Sequence, residues 1–191
     1  PSTDDITINV DELPTTADAG LDQTICSPTA TLSANTPLIG TGTWTVIAGT
    51  ATVTSVNDPN SGVTGLTTGV NTFRWTITNG TCTPSTDDIT INVDELPTAA
   101  DAGLDQTICS PTATLAANTP LIGTGTWTVI AGTASVTSVN DPNSGVTGLT
   151  TGINTFRWTI TNGTCTPSTD DITINVDELP TTADAGLDQT I

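Results

Sequence analysis

The sequence has no lysine and no histidine, and its only cations are two arginines, Arg74 and Arg157. Each absence removes a class of chemistry. Without these bases there is no Ser–His, Cys–His or Ser–Lys nucleophile. Without histidine, and with no C-x-x-C pair, the usual zinc ligand sets are missing. Without lysine, a Lys–Asn isopeptide lock of the kind found in some fibre domains cannot form. Two cations against twenty acids give a net charge of −18. That leaves no basic footprint for nucleic-acid phosphates or for an anionic membrane surface. It favours solubility and mutual repulsion between molecules. Helical periodicity is absent as well, and "GTGTW" leads into a strand, so its glycines read as turn residues and not as a phosphate loop. Carboxylate pairs are available for hydrolytic chemistry, but they sit in linker sequence and not around a cleft lined by exposed aromatics. No catalytic residues and no enzymatic activity are expected.

What is present is repetition. "PSTDDITINV" begins at Pro1, Pro84 and Pro167, a period of 83 residues. Residues 1–83 and 84–166 differ at four positions, Thr16/Ala99, Ser33/Ala116, Thr52/Ser135 and Val70/Ile153. Residues 167–191 repeat residues 1–25 unchanged. Such a period is too long for a solenoid unit and suits a string of small domains. The spacing divides the chain into the last strand of a preceding repeat (1–12), two β-sandwich repeats (13–95 and 96–178) and the first strand of a following repeat (179–191). A window on a longer array is the expectation.

Inside a period the apolar residues alternate, as half-buried strands require. The inward sets are Ala30, Leu32 and Ala34; Trp44 and Val46; Ala51 and Val53; Val63 and Leu66; Phe73, Trp75 and Ile77; Ile89, Ile91 and Val93. Turn sequences such as "NDPNSG", "LTTG" and "TNG" separate them. Six or seven short strands per period predict an all-β fold of tandem immunoglobulin-like (PKD-like) antiparallel β-sandwiches. Trp44 and Trp75 are expected in the core and not on a sugar-binding platform. Arg74 and Arg157 point outward, toward a nearby aspartate or a neighbouring chain. "NGT" at 79–81 and 162–164 reads as an Asn-Gly hairpin turn whose residues need positive φ, not as a glycosylation site.

Four cysteines, Cys26, Cys82, Cys109 and Cys165, recur two per period. Regular pairs in a Thr-rich, Lys-free chain predict disulfides and export. Pairing within each repeat gives 26–82 and 109–165. In standard sandwich topology, however, Cys26 lies near the A–B turn and Cys82 just after the F–G turn, at opposite poles. A staggered 26–165 bond between successive repeats therefore competes, and free thiols are the third alternative.

The first period holds seven acids: Asp4, Asp5, Asp11, Glu12, Asp18, Asp22 and Asp58. Six of them fall within residues 4–22, around "DELP", a linker of about four residues in which Pro14 fixes one φ. Two roles compete. Calcium needs six to eight oxygens, which Asp11, Glu12 and Asp18, with Asp94, Glu95 and Asp101 in the next copy, are candidates to supply. Alternatively the charge serves solubility and strand-edge protection, with no ion. No D-x-D-x-D-G loop is present, and no other cofactor is indicated.

The strings "ADAGLDQTIC", "TATLSAN", "GTGTWTV" and "VTGLTTGVNTFRWTITNGTCTPSTDDITINV" resemble the PKD-like, Ig-like repeats of large Bacteroidota surface proteins. That resemblance spans the whole period. It implies type IX export, an extracellular cell-surface location and a part in adhesion and gliding. The "W-F-G-D-G" string of PKD domains is missing. The expected function is a structural segment of a long surface fibre or adhesin, acting as a stiff stalk or filament. The alternative is a carbohydrate- or surface-binding module repeated along the chain. Expected partners are neighbouring repeats of the same chain, with lateral or end-to-end self-association. Nucleic acid and direct membrane insertion are not expected.

Overall fold

A computed structural model of the chain describes residues 2–184 and 186–188. The chain divides into two compact units, Pro1–Leu96 with Gly163–Cys165, and Pro97–Asn162 with Thr166–Ile191. In the first, seven strands follow in order: β1 (Gln23–Ile25), β2 (Thr29–Thr31), β3 (Thr41–Ala48), β4 (Thr52–Val53), β5 (Gly62–Thr64), β6 (Gly69–Thr78) and β7 (Ser85–Val93). They form a four-stranded sheet, β1-β7-β6-β3, and a three-stranded sheet, β2-β5-β4. The second unit repeats them as β8 (Gln106–Ile108), β9 (Thr112–Thr114), β10 (Thr124–Ala131), β11 (Ser135–Val136), β12 (Gly145–Thr147), β13 (Gly152–Thr161) and β14 (Ser168–Val176). Its sheets are β10-β13-β14-β8 and β11-β12-β9. No helix among the described residues is long and apolar enough to cross a membrane.

Each unit is an immunoglobulin-like β-sandwich, and the alternation in the sequence explains it. β6 buries Phe73, Trp75 and Ile77 completely, and β7 buries Ile89 and Ile91. Phe73 stands opposite Ile89 in the antiparallel register. Leu32, Val63 and Leu66 close the core from the other side. Burying each such side chain contributes roughly 1.5–3 kcal/mol. Trp44 lies opposite Trp75 in the β3–β6 pair, with ring centroids 5.0 Å apart. Gly42 belongs to this packing: a Cβ added there would enter the Trp75 indole. It is a strand residue kept small by a ring, where the sequence suggested a turn glycine.

Other expectations need correction. β1 pairs with β7 in parallel, so the sandwich is not purely antiparallel. Val46, expected inward, is partly exposed although it stands opposite Phe73, just before the β3–β6 register shifts toward Ala48. The Asn-Gly turn has only Gly80 at positive φ (51°), and no described non-glycine residue has one. The connection from β6 to β7 is the six-residue segment 79–84, so Asn79 is released from the two-residue hairpin geometry.

No strand forms near Thr15, at the start of the 13–95 repeat. The chain there is held by isolated bonds, from the Thr15 amide to the Ile39 carbonyl and from the Asn35 amide to the Asp18 carbonyl. β7 side chains add to these: Ser85 Oγ accepts from the Ala17 amide at 2.8 Å and Asp87 Oδ2 from the Ala19 amide at 2.7 Å. Residues 2–12 also hold no strand and are exposed. A strand needs a neighbour for its backbone groups, and residues 4–10 have none. Of 179–191, the described residues hold no strand, and 185 and 189–191 lie outside the described set.

Candidate functional site: the acidic clasp and its cysteines

Most of the aspartates are occupied one by one, chiefly by backbone amides. Asp18 and Asp101 each accept from the amide two residues on, Gly20 and Gly103, at 2.9 Å. Asp58 does the same for Asn60. These are Asx turns, in which a short carboxylate substitutes for a backbone partner. Asp22 Oδ1 accepts from the Thr90 amide at 2.8 Å, so Asp22 and Asp87 together bind residues 17–22 to β7. Asp88 makes a two-bond pair with Arg74, Nε to Oδ1 at 2.7 Å and Nη2 to Oδ2 at 2.8 Å, directly across the β6–β7 register. Arg157 and Asp171 repeat it. The arginines thus take the bland alternative, a surface ion pair. Arg74 holds the Asp88 carboxyl below its ordinary range, chiefly through those hydrogen bonds.

Asp11 and Asp94 do something different. Asp11 Oδ2 accepts from the Thr81 amide at 2.8 Å and from the Thr81 hydroxyl at 3.1 Å. The Asn79 side-chain amide donates to the Glu12 carbonyl at 2.8 Å. The backbone amide of Thr81, then its hydroxyl, hold the Asp11 carboxyl below the usual aspartate range. Gly80 is required here, since a Cβ would run into the Asp11 carboxylate. In the next copy Asp94 Oδ2 accepts from the Thr164 amide at 2.7 Å and its hydroxyl at 2.9 Å. The "DE" of the linker is therefore clasped by an "NGT" turn that follows it by about 70 residues in sequence.

The clasp carries the cysteines. Cys26 is bonded to Cys165, with Cα atoms 4.9 Å apart and 139 residues between them in sequence. Asp94 sits against both halves. Its amide donates to the Ile25 carbonyl at 2.7 Å, while its carboxylate holds Thr164. The Cys165 sulfur lies 3.3 Å from the Glu95 carbonyl oxygen. Cys82 and Cys109 are free thiols. The within-repeat pairs 26–82 and 109–165 do not form, and the topology says why. Cys26 follows β1, which ends level with Val93, whereas Cys82 precedes Ser85. The nine residues of β7 lie between them, a span of about 30 Å at ~3.3 Å per residue. A disulfide tolerates no more than about 7 Å between Cα atoms. Cys109 and Cys165 stand in the same relation along β14.

The calcium candidates do not converge. Asp11 and Asp94 serve the clasp, Asp18 and Asp101 serve their own turns, and Glu12 and Glu95 enter it through their carbonyls. Among the described residues, no group of three or more His, Cys, Asp or Glu could hold a metal ion.

No family model matches the sequence, and no curated protein matches it. Solved structures do. Drosophila OTK extracellular domains 3–5 match at 11% identity and a TM-score of 0.58, over 85% of this chain and 60% of that one. The fold is immunoglobulin-like. Sidekick-1 immunoglobulin domains 1–4 match at 14% identity and 0.54, over 90% and 51%. The insect immune protein hemolin, whose domain arrangement is described as having implications for homophilic adhesion, matches at 12% and 0.51, over 92% and 49%. The chain thus spans about half to three fifths of these immunoglobulin-like structures, and at such identities the likeness concerns the fold alone.

The sequence pointed to "DELP" as the joint but not to Asn79 and Thr81, or Thr164, as what holds it. Asp11 and Thr81 both recur every 83 residues, yet nothing local marks two residues 70 apart as partners.

Proposed function

We propose that the chain is a non-enzymatic segment of a long extracellular fibre or adhesin, of the Bacteroidota surface-protein kind, and that it works as a stiff stalk. The observation that carries this is the Cys26–Cys165 bond, which ties cysteines of successive sequence repeats. Closing so long a loop constrains the unfolded chain by roughly 4–5 kcal/mol on the chain-entropy account. Such a bond persists only in an oxidising compartment, which supports a place outside the cell. The clasp adds to it, because in each copy an aspartate of the linker is held by a turn about 70 residues on. Neighbouring repeats are then the main partners, and self-association is the second.

The aromatic residues favour the stalk over a sugar-binding module. All four tryptophans and both phenylalanines are at most 1% exposed, so none is available to stack on a sugar ring. Electron microscopy of intact cells labelled with an antibody to this chain tests the proposal. Label along surface fibres is expected. Label confined to the cell interior, or reproducible binding of the purified chain on a glycan array, would overturn it.

A further inference from the structure

Thirteen asparagines stand in the sequence, and only two of them, Asn79 and Asn162, precede a glycine. An asparagine side chain is most open to attack by its own backbone there, because glycine has no side chain to shield its amide nitrogen. The fold leaves the first of these sites accessible. Gly80 is exposed, with φ at 51°, and its amide makes no described hydrogen bond. Two further asparagines, Asn60 and Asn143, precede a small residue, and there the fold closes the route. The Ser61 and Ser144 amides donate to the Asp58 and Asp141 carbonyls at 3.1 Å, and both serines are buried.

Asn79 is also a working part of the clasp. Its side-chain amide donates to the Glu12 carbonyl at 2.8 Å. Two residues on, the amide and hydroxyl of Thr81 hold the Asp11 carboxylate. A carboxylate at position 79 could not donate to the Glu12 carbonyl, because an ionised acid only accepts. It would also bring a second negative charge to a turn against which the Asp11 carboxylate already lies.

We infer that Asn79 is a site of spontaneous deamidation, and that the reaction opens the clasp. The Gly80 amide nitrogen loses its proton to solvent base and bonds to the side-chain carbonyl carbon of Asn79. The bond from that carbon to Nδ2 breaks, and the nitrogen takes up a proton and leaves as ammonia. Water then opens the cyclic imide at either carbonyl, which gives aspartate or isoaspartate. The net exchange is water in and ammonia out, with no oxidant, reductant or enzyme. The hydrogen bond to Glu12 holds the departing nitrogen, so the clasp restrains the reaction that ends it. The change runs one way, which makes this turn a record of the molecule's age.

The test holds the whole chain, native disulfide intact, at mildly alkaline pH and samples it over time. Each sample is unfolded, reduced and cut with trypsin at Arg74 and Arg157. In the peptide 75–157, Asn79 should gain the mass of amide-to-acid exchange ahead of every other asparagine there. Enzymatic methyl transfer should detect isoaspartate in the same peptide. In the aged folded protein, hydrogen exchange at the Thr81 amide should rise about fivefold, as expected for losing one hydrogen bond. The Ala19 amide, held by Asp87, should stay protected. Unaged Asn79→Asp should show the Thr81 rise from the start, and Asn79→Ser, which lacks the reacting amide, should show no change on ageing. Reaction at Asn79 no faster than at Asn92 or Asn118 would overturn the proposal. So would unchanged exchange at Thr81 in either the aged protein or Asn79→Asp.

Discussion

The seven residues "DDITINV" occur at 4–10 and again at 87–93, and they end up differently. At 87–93 they belong to β7, paired with β6 on one side and β1 on the other, with Ile89 and Ile91 fully buried. At 4–10 they hold no strand, and the equivalent Ile6 and Ile8 are 87% and 76% exposed. Propensity and alternation are identical in the two places, so neither decides the outcome. The neighbours do: a strand is stabilised by ladder partners and a covering face, not by its own composition. Each residue of the heptad can therefore be changed in both settings, and the difference isolates what the fold adds.

The largest difference belongs to the isoleucines. Ile91→Ala should destabilise the first unit by about 2–5 kcal/mol, the range for emptying a packed core position. Ile8→Ala should stay within about 0.5 kcal/mol of wild type, as for an exposed site without partners. Thermal unfolding followed by calorimetry reads both. Because the two units are near copies, Ile91→Ala should also split a shared transition into two. Equal effects of the two changes would mean that the amino-terminal copy packs like β7 and would break the comparison.

Asp87 and Asp4 come next. Asp87 satisfies the Ala19 amide in a stretch that has no strand ladder. Asp4 is exposed and makes no described bond. Asp87→Ala should cost about 1–3 kcal/mol by leaving that amide unpaired. Asp87→Asn keeps an acceptor oxygen and should recover part of the loss, while Asp4→Ala should do nothing measurable. Urea unfolding at neutral pH distinguishes these. Amide hydrogen exchange at Ala19 gives a local readout, with protection lost in Asp87→Ala only.

This pair also shows how far the sequence could be read. The core was legible because period-two alternation is written locally: Phe73, Trp75, Ile77, Ile89 and Ile91 are inward as expected. The work of the acids was not. Asp87 binding Ala19, Asp22 binding Thr90 and Asp11 binding Thr81 each connect residues about 70 apart, through one side chain and one amide. No periodicity encodes such a contact. In composition, those carboxylates look the same as solvated charge or as calcium ligands. The cysteines fall between these cases. Strand order placed Cys26 and Cys82 at opposite poles, but only the parallel β1–β7 register fixes the strand length between them.

The smallest difference is expected at Asp88 and Asp5, and pH resolves it better than a single measurement. Asp88 meets Arg74 in a two-bond pair whose side chains remain 39% and 42% exposed. Solvent screening therefore keeps its contribution below about 1 kcal/mol. The folded-state pKa of Asp88 lies below the ordinary 3.8, mainly because of the hydrogen bonds from Arg74. For a depressed carboxylate, the unfolded chain takes up the proton first as pH falls. The stabilisation from the pair is thus complete above the unfolded value, near pH 4, and disappears as pH drops through the folded one. Arg74 stays charged throughout, so the loss follows Asp88 alone. Wild type minus Asp88→Asn should be small and constant from pH 7 down to the unfolded value, then shrink as pH falls through the folded one. About 1 M salt at neutral pH should reduce it as well, because the pair is exposed to screening ions. Asp5→Asn, with no arginine opposite it, should show neither the plateau nor the decline. A matching decline at Asp5 would mean that the amino-terminal copy finds a cation of its own, and would erase the contrast between the two copies at this position.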